Sequence, residues 1–391
     1  MRTMKNARYW VLAVLLIGCL SACKSDKSTE AETAETVILP PPEEDYESSD
    51  VKCGYINRSG KLVVAAKYDD GRPFAEGLAA VRVKGRWGYV DKNGELVIAL
   101  QYQGAWSFSD GLARVLDYEN KMGFIHLDGS WAVEPKYEEV QDFSEGLALF
   151  MLNGKWGYMD RNGQEVIAAV YEQGSPFESG YARVKAESGY GVIDRAGNVI
   201  IPLEYQKIGS LSENYFRMRK DGLYGFCNKN GRMVIEPTFK NAQDFNQGLA
   251  PVKEQELYGL IDTTGTYVVA PQYEQLWYAG ESRWGVQQEG YFGYIDRSGT
   301  VMIPIQFDQI QSFAQGFAPY QVDNLWGYMD TNGNLLTPPL YGLAWNFQEG
   351  LARVATRTGI AFINTSGQLA IPPGFQDVRD FSEGLALVQV F

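Results

Sequence analysis

Trp87-Gly88-Tyr89-Val90-Asp91-Lys92-Asn93-Gly94 reappears as Trp156-Gly157-Tyr158-Met159-Asp160-Arg161-Asn162-Gly163, and that recurrence governs the reading of the whole chain. The first glycine of the frame falls at 54, 88, 123, 157, 191, 225, 259, 293 and 327, and a tenth copy has Ala361 in its place. Every step is 34 residues except one of 35. A second glycine follows six residues later in all ten copies, from Gly60 and Gly94 through to Gly367. An aromatic recurs at the same period from Tyr68 to Phe375, followed by a Phe-x-x-Gly-Leu-Ala phrase clearest at Phe74–Ala79, Phe108–Ala113, Phe143–Ala148 and Phe381–Ala386. A fixed period of this length means a tandem array.

Each copy reads as a β-meander. Leu78–Val83, Arg86–Val90 and Leu96–Ile98 are short apolar runs, separated by Lys84-Gly85 and by Lys92-Asn93-Gly94. Short runs joined by glycine-containing turns are hairpins. Asp91 opens its turn, where a carboxylate accepts the turn's N–H groups and the glycine supplies a positive φ. That position is Asp or Asn in nine copies and His126 in the other. Side chains alternate along a strand, so Trp87 and Tyr89 face one way and Gly88 and Val90 the other. Both faces are largely apolar, as strands stacked between neighbouring units require. The motif glycine lets another backbone or an aromatic ring approach closely.

The frame Lys/Arg-Trp-Gly-Tyr-Ile/Val-Asp-x-x-Gly with Phe-x-x-Gly-Leu-Ala resembles the bacterial WG-repeat family, also described as KWG repeats, over residues 51–391. The resemblance implies a β-rich repeat and brings no catalytic residues. The expected fold is all-β: ten antiparallel β-meander repeats in an open, superhelical, solenoid-like array. The alternative is a closed, propeller-like ring. The domain begins on a middle strand and ends on a first strand, Gly384–Val388, which favours a ring. Against it, a four-stranded blade usually takes about 40–45 residues, and ten blades make a large ring.

The N-terminus reads as an address. Arg2, Lys5 and Arg8 precede an apolar run from Trp10 to Leu20, the layout of a secretory signal. Leu20-Ser21-Ala22-Cys23 resembles the lipobox of bacterial lipoproteins, which implies a signal peptide over 1–22 and lipidation at Cys23; Leu16-Ile17-Gly18-Cys19 is the rival site. Lys24 in place of aspartate implies sorting to the outer membrane. Residues 23–50 carry the lipidated terminus and an acidic tether, with nine acids against two lysines and Pro40-Pro41-Pro42. With so little to bury it is expected to be disordered, with a reach of roughly 30 Å.

Composition narrows the function. The chain has 391 residues, a formal net charge of −13 and one histidine. That balance is wrong for nucleic acid, whose phosphates need clustered Lys and Arg. A single histidine counts against multi-His metal sites and His-based acid–base chemistry, and His126 reads as a turn variant. Cys53 and Cys227 stand where Trp and Ile or Val recur, and read as packed thiols. The acids before the motif glycine (Glu76, Asp110, Glu145, Glu213, Glu281, Glu349 and Glu383) recur in seven copies, whereas a catalytic carboxylate pair is singular. They read as turn support or a solvated stripe. The Asp-x-Asn-Gly turns lack the alternating acids and closing Glu of a calcium loop. No metal or cofactor is expected.

Copies five and seven depart from the repeat. Leu211–Arg217 and Trp277–Trp284 lose the Phe-x-x-Gly-Leu-Ala phrase and gain larger groups. Aromatic and Arg clusters are typical of binding hot spots, which makes Tyr215, Phe216, Arg217, Trp277, Tyr278, Arg283 and Trp284 a candidate binding patch. The competing reading is drift compensated by local repacking. The expected function is a non-catalytic cell-envelope lipoprotein presenting a β-repeat surface to an envelope protein. Recognition of cell-wall or surface glycan is the alternative, and a glycan hydrolase the second.

Overall fold

The computed structural model describes residues 51–390. The signal peptide, Cys23, its rival Cys19 and the tether lie outside the described residues. The described chain folds into ten four-stranded antiparallel sheets. Blade two shows the pattern: Asp70–Gly71, Leu78–Val83, Arg86–Asp91 and Leu96–Tyr102 lie side by side in chain order. Blades three to ten repeat it.

Blade one differs. Its strand order is Leu62–Tyr68, Lys52–Asn57, Leu385–Val390, Asp377–Val378, so the last strands of the chain complete the first sheet. Six residue pairs join them, from Lys52↔Val390 to Asn57↔Leu385. The core says the same. Each of the ten buried clusters is shared by two neighbouring blades, and one unites Ile56, Val378 and Ala386 of blade one with Leu351, Phe362 and Ile371 of blade ten. Ten blades in an open row have nine junctions; ten junctions make a ring. The open array expected from the sequence is therefore replaced by its alternative, a closed ten-bladed β-propeller.

The length objection fails for a physical reason. The first strand of most blades is only two residues long, as at Asp70–Gly71, which suits the axis side of a ring, where the circumference is smallest. The turns are equally short. Lys84 and Gly85 have φ of 49° and 77°, and Glu76 and Gly77 have 53° and 85°. Two successive left-handed residues form the type I′ turn that matches strand twist. Four strands thus fit into 34 residues.

The third turn is built by its aspartate. Asp91 Oδ1 accepts the N–H groups of Asn93 at 2.9 Å and Glu95 at 2.8 Å, and Gly94 closes the turn at φ 82°. In the third copy Asp128 takes over part of this work, accepting from Ser130 N–H at 2.9 Å, while His126 is exposed.

The motif glycine is held by a clash. A Cβ on Gly88 would lie 2.5 Å from Ile98 O and 2.7 Å from Ala99 O of the outer strand. That strand bulges here, its pairing stepping from Trp87↔Tyr102 to Tyr89↔Ile98. Blade ten supplies the control. With Ala361 in place of the glycine, the outer strand shortens to Leu369–Ile371, against seven residues in blade two.

Candidate functional site

Neighbouring blades are joined by three recurrent devices, and the candidate site is where these vary. The first is aromatic. The tyrosine of each Trp-Gly-Tyr packs on the phenylalanine that opens the next blade's phrase, as Tyr89 on Phe108 with ring centroids 5.0 Å apart and Tyr55 on Phe74 at 4.8 Å. The tyrosine hydroxyl donates onward, Tyr89 to Trp106 O at 2.7 Å. Burial and nearby charges raise the pKa of Tyr89, so it stays a neutral donor.

The second device is the repeated acid. Glu383 Oε1 and Oε2 accept the N–H groups of Glu76 and Gly77 in the next blade at 2.7 and 3.0 Å, and Lys92 Nζ lies 3.1 Å from Oε2. Burial pulls the Glu383 carboxyl up, but Lys92 and the two N–H groups outweigh it and hold it below its usual range. Glu76 reaches Gly111, Glu145 reaches Gly180, Glu213 reaches Gln247 and Gly248, Glu281 reaches Gly316, and Glu349 reaches Gly384. These acids support turns, each the turn of the following blade.

The third device lies on the inner rim. Arg114, Arg217 and Arg353 each reach forward to the next blade, pairing with Asp142, Asp244 and Asp380 at 2.9, 3.0 and 2.6 Å. The same guanidiniums donate to the inner-strand carbonyls of Val140, Ala242 and Val378. Arg353 holds Asp380 through both Nε and Nη2, and its guanidinium lies 4.7 Å from the Trp345 ring. The Trp106 ring has the guanidinium of Arg72 at 5.4 Å and that of Arg114 at 4.9 Å. A stacked, bidentate arginine such as Arg353 is pre-organised.

Around the seam this rim opens into a cleft of about 510 Å³, lined by blades ten, one and two. Its charged walls are Asp70, Arg72, Arg353, Asp377, Arg379 and Asp380. Arg379 is 61% exposed, with Asp377 3.7 Å away. Opposed charges in equal number suit a polar, charge-patterned partner surface. Among the described residues, no group of three or more His, Cys, Asp and Glu side chains converges as metal ligands would.

The structure divides the seven residues of the candidate patch. The blades are offset from the sequence copies, so the deviant phrases of copies five and seven fall in blades six and eight. Phe216 and Trp284 are 1% and 0% exposed and present no surface. Both fill space left by missing rings. Where the aromatic pair would be Tyr and Phe, the blade five–six junction has Val192 and Leu211, and the seven–eight junction has Leu260 and Ala279. Phe216 packs with Val192, and Trp284 with Leu260. For these two residues the compensating-repacking reading describes what is observed. Tyr215 stacks on Phe245 at 5.0 Å, and Arg217 is engaged by Asp244. Trp277 lies against Gly285 and the Phe292 ring, and Arg283 donates to Thr331 O at 3.0 Å. Tyr278 takes a hydrogen bond from Gln247 Nε2 at 3.1 Å. Blade seven separates the two groups, and its Gln247 touches both deviant phrases, its side chain reaching Tyr278 and its N–H binding Glu213.

Cys53 and Cys227 are free, buried thiols in blades one and six. Burial pushes Cys227 up to about 12, so it is a packed, protonated group.

Sequence reasoning passed over Arg72, Trp106, Arg353 and Asp380. The signal was present: the position two before the motif Phe is Arg, Trp, Gln, Ser or Gly among the copies and the next is Pro, Ser, Asp, Asn or Tyr, while the residue before them stays small or apolar. Variation inside a fixed frame marks the surface free to specialise.

The tenfold repeat is matched by a family model. The WG containing repeat matches ten times, at residues 54–87, 87–121, 122–156, 156–188, 190–224, 224–258, 258–291, 292–326, 326–356 and 361–390. The chain belongs to the WG-repeat family. No curated protein matches it. Among solved structures it is similar to a eukaryotic initiation factor, at 11% identity over 74% of this chain and 95% of that one, TM-score 0.46. It is also similar to the computationally designed Ika8 protein, at 12% identity over 67% and 93%, TM-score 0.35. BamB from Moraxella catarrhalis is similar at 10% identity over 82% and 96%, TM-score 0.31.

Proposed function

We propose that this chain is a non-catalytic scaffold of the bacterial cell envelope, anchored by lipid at Cys23 and offering the inner rim of its ring to a protein partner. The fate of the repeated carboxylates carries this reading. Glu76, Glu145, Glu213, Glu281, Glu349 and Glu383 hold backbone N–H groups of the next blade, so the acids that a glycan hydrolase would draw on serve the ring instead. What varies from blade to blade is a rim of Arg, Asp and Trp opening into the seam cleft, and Arg with Trp is the chemistry of protein hot spots. The glycan reading needs open aromatic faces, but Trp106 and Trp345 already stack on guanidiniums.

The test is capture. Full-length protein, solubilised in detergent and tagged, is cross-linked to envelope extract beside its Arg379→Glu variant. Arg379 is largely exposed, so the variant should keep its thermal midpoint. A discrete protein held by the wild type and lost by the variant supports the proposal. Retention on purified wall polysaccharide alone would replace it with the glycan reading. Separately, Cys23→Ala should release the protein from membranes; unchanged fractionation would remove the anchor.

A further inference from the structure

Nine of the ten positions that carry the repeated acid hold Glu, Asp or Gln; the tenth is Ser179. The junction between blades five and six can therefore be compared with the complete one between blades one and two. In the complete junction a glutamate carboxylate sits among three donors: the N–H groups of Glu76 and Gly77 and the ammonium of Lys92. At the five–six junction the corresponding donors line one pocket. Glu213 and Asn214 form the corresponding turn, with φ of 50° and 72° against 53° and 85°. Lys229 follows Asn228 as Lys92 follows Asp91. Ser179, whose oxygen lies two bonds nearer the backbone than those of glutamate and carries no charge, provides no carboxylate. No oxygen of the described residues accepts from Glu213 N–H or Asn214 N–H, and Lys229 has no ion-pair partner among them. A pocket of about 390 Å³ lies here, lined by Ser179, Tyr181, Leu211, Glu213, Asn214 and Lys229.

We infer that this pocket is a receptor site for a glutamate side chain supplied by a protein partner. Two adjacent N–H groups and an ammonium match the two oxygens and single charge of a carboxylate, and charge-assisted bonds of this kind are the strong ones. Tyr181 and Leu211 are half-buried and flank the site, where they can pack against the ligand's methylenes. The choice of glutamate over another anion comes from the chain itself, which places that side chain on the corresponding turn N–H at six other junctions. The inference rests on the scaffold reading only for the source of the carboxylate.

The test uses the full chain in detergent, with amide NMR signals of Glu213 and Asn214 as the readout. The probes are acetyl-Gly-Glu-Gly-amide, its Gln counterpart and inorganic phosphate. The Glu peptide should shift both amides saturably, and the Gln peptide should bind at least about tenfold more weakly, since it lacks the charge. Ser179→Glu should fill the site from within, abolish the shift and raise the thermal midpoint, while Ser179→Ala should leave binding intact. Lack of a saturable shift, equal shifts with the Gln peptide or phosphate, or unchanged peptide binding in Ser179→Glu would overturn the inference. Failure of protein capture with peptide binding intact would count against the scaffold reading instead.

Discussion

Blade one and blade two share strand order and turn chemistry, yet blade two is one continuous segment and blade one is assembled from both ends of the described chain. The sequence copy begins on the Trp-Gly strand, whereas the structural blade begins on the short inner strand before the Phe phrase. Every copy therefore donates half of itself to the next blade, and the last half-copy has only the first blade to join. The ring is closed by strand pairing, by the Tyr55–Phe74 contact and by the Glu383 clamp, the same devices that join neighbours elsewhere. Closure needs no special part.

Removing residues 377–391 attacks that difference most severely. It strips blade one of two strands and exposes the apolar faces on both sides of it. The loss should be comparable to the whole stability of an ordinary domain, about 5–15 kcal/mol, and chemical denaturation should lose its single cooperative transition. An equal truncation effect from a surface loop would remove the special standing of the seam.

Blades six and eight sharpen the comparison from within. Trp284→Ala should cost about 3–5 kcal/mol, as Trp156→Ala should, because both side chains are core. Trp284→Phe should be close to neutral: the indole N–H is buried without a partner, and phenylalanine removes that liability along with some packing. Denaturation midpoints of the three variants decide it; a Trp284→Phe loss as large as that of Trp284→Ala would contradict the packing reading. Next in size, Arg353→Ala should cost about 2 kcal/mol, since it deletes a bidentate pair and a bond to Val378 O at the seam.

The turn carboxylates give the smallest effect. Asp91, Asp194, Asp262 and Asp296 sit below the usual carboxylate range, held chiefly by the Glu95 N–H, the Asn198 amide, and the Thr264 and Ser298 hydroxyls respectively. A depressed folded-state pKa contributes stability above the unfolded value, near 3.9, that is lost as pH falls through the folded one. The thermal midpoint should be level from pH 7 to about 5 and decline below about 4. Asp91→Asn should change little at pH 7, because Asn57, Asn228 and Asn364 already accept the same N–H groups. It should also remove a small share of the acid decline.

Much of this was legible in the sequence. The Asp-x-x-Gly turns, the close approach at the motif glycine and the ten copies follow from residue chemistry at a fixed period. Ring closure was obscured because a two-residue strand such as Asp70–Gly71 carries no hydropathy pattern, which left each copy looking one strand short. Phe216 and Trp284 read as exposed hot-spot residues because alternation along a strand does not reveal a hole in the facing blade. The paired losses at Val192 with Leu211 and at Leu260 with Ala279 would have revealed it, since an aromatic pair that disappears from both sides leaves room for a larger neighbour. The inner rim was missed for the opposite reason: attention went to broken copies, while the specialised positions vary inside intact ones.

Ring closure is tested most directly by chemistry across the seam. Cys53 is paired with Gln389 on adjacent antiparallel strands from opposite ends of the domain. Gln389→Cys sets two thiols face to face, and oxidation during refolding should link them within one chain, as read by mass spectrometry of the cross-linked peptides. A closed ten-bladed ring gives that intramolecular disulfide and a higher thermal midpoint. An introduced thiol that stays free, or pairs only between chains, would contradict the ring.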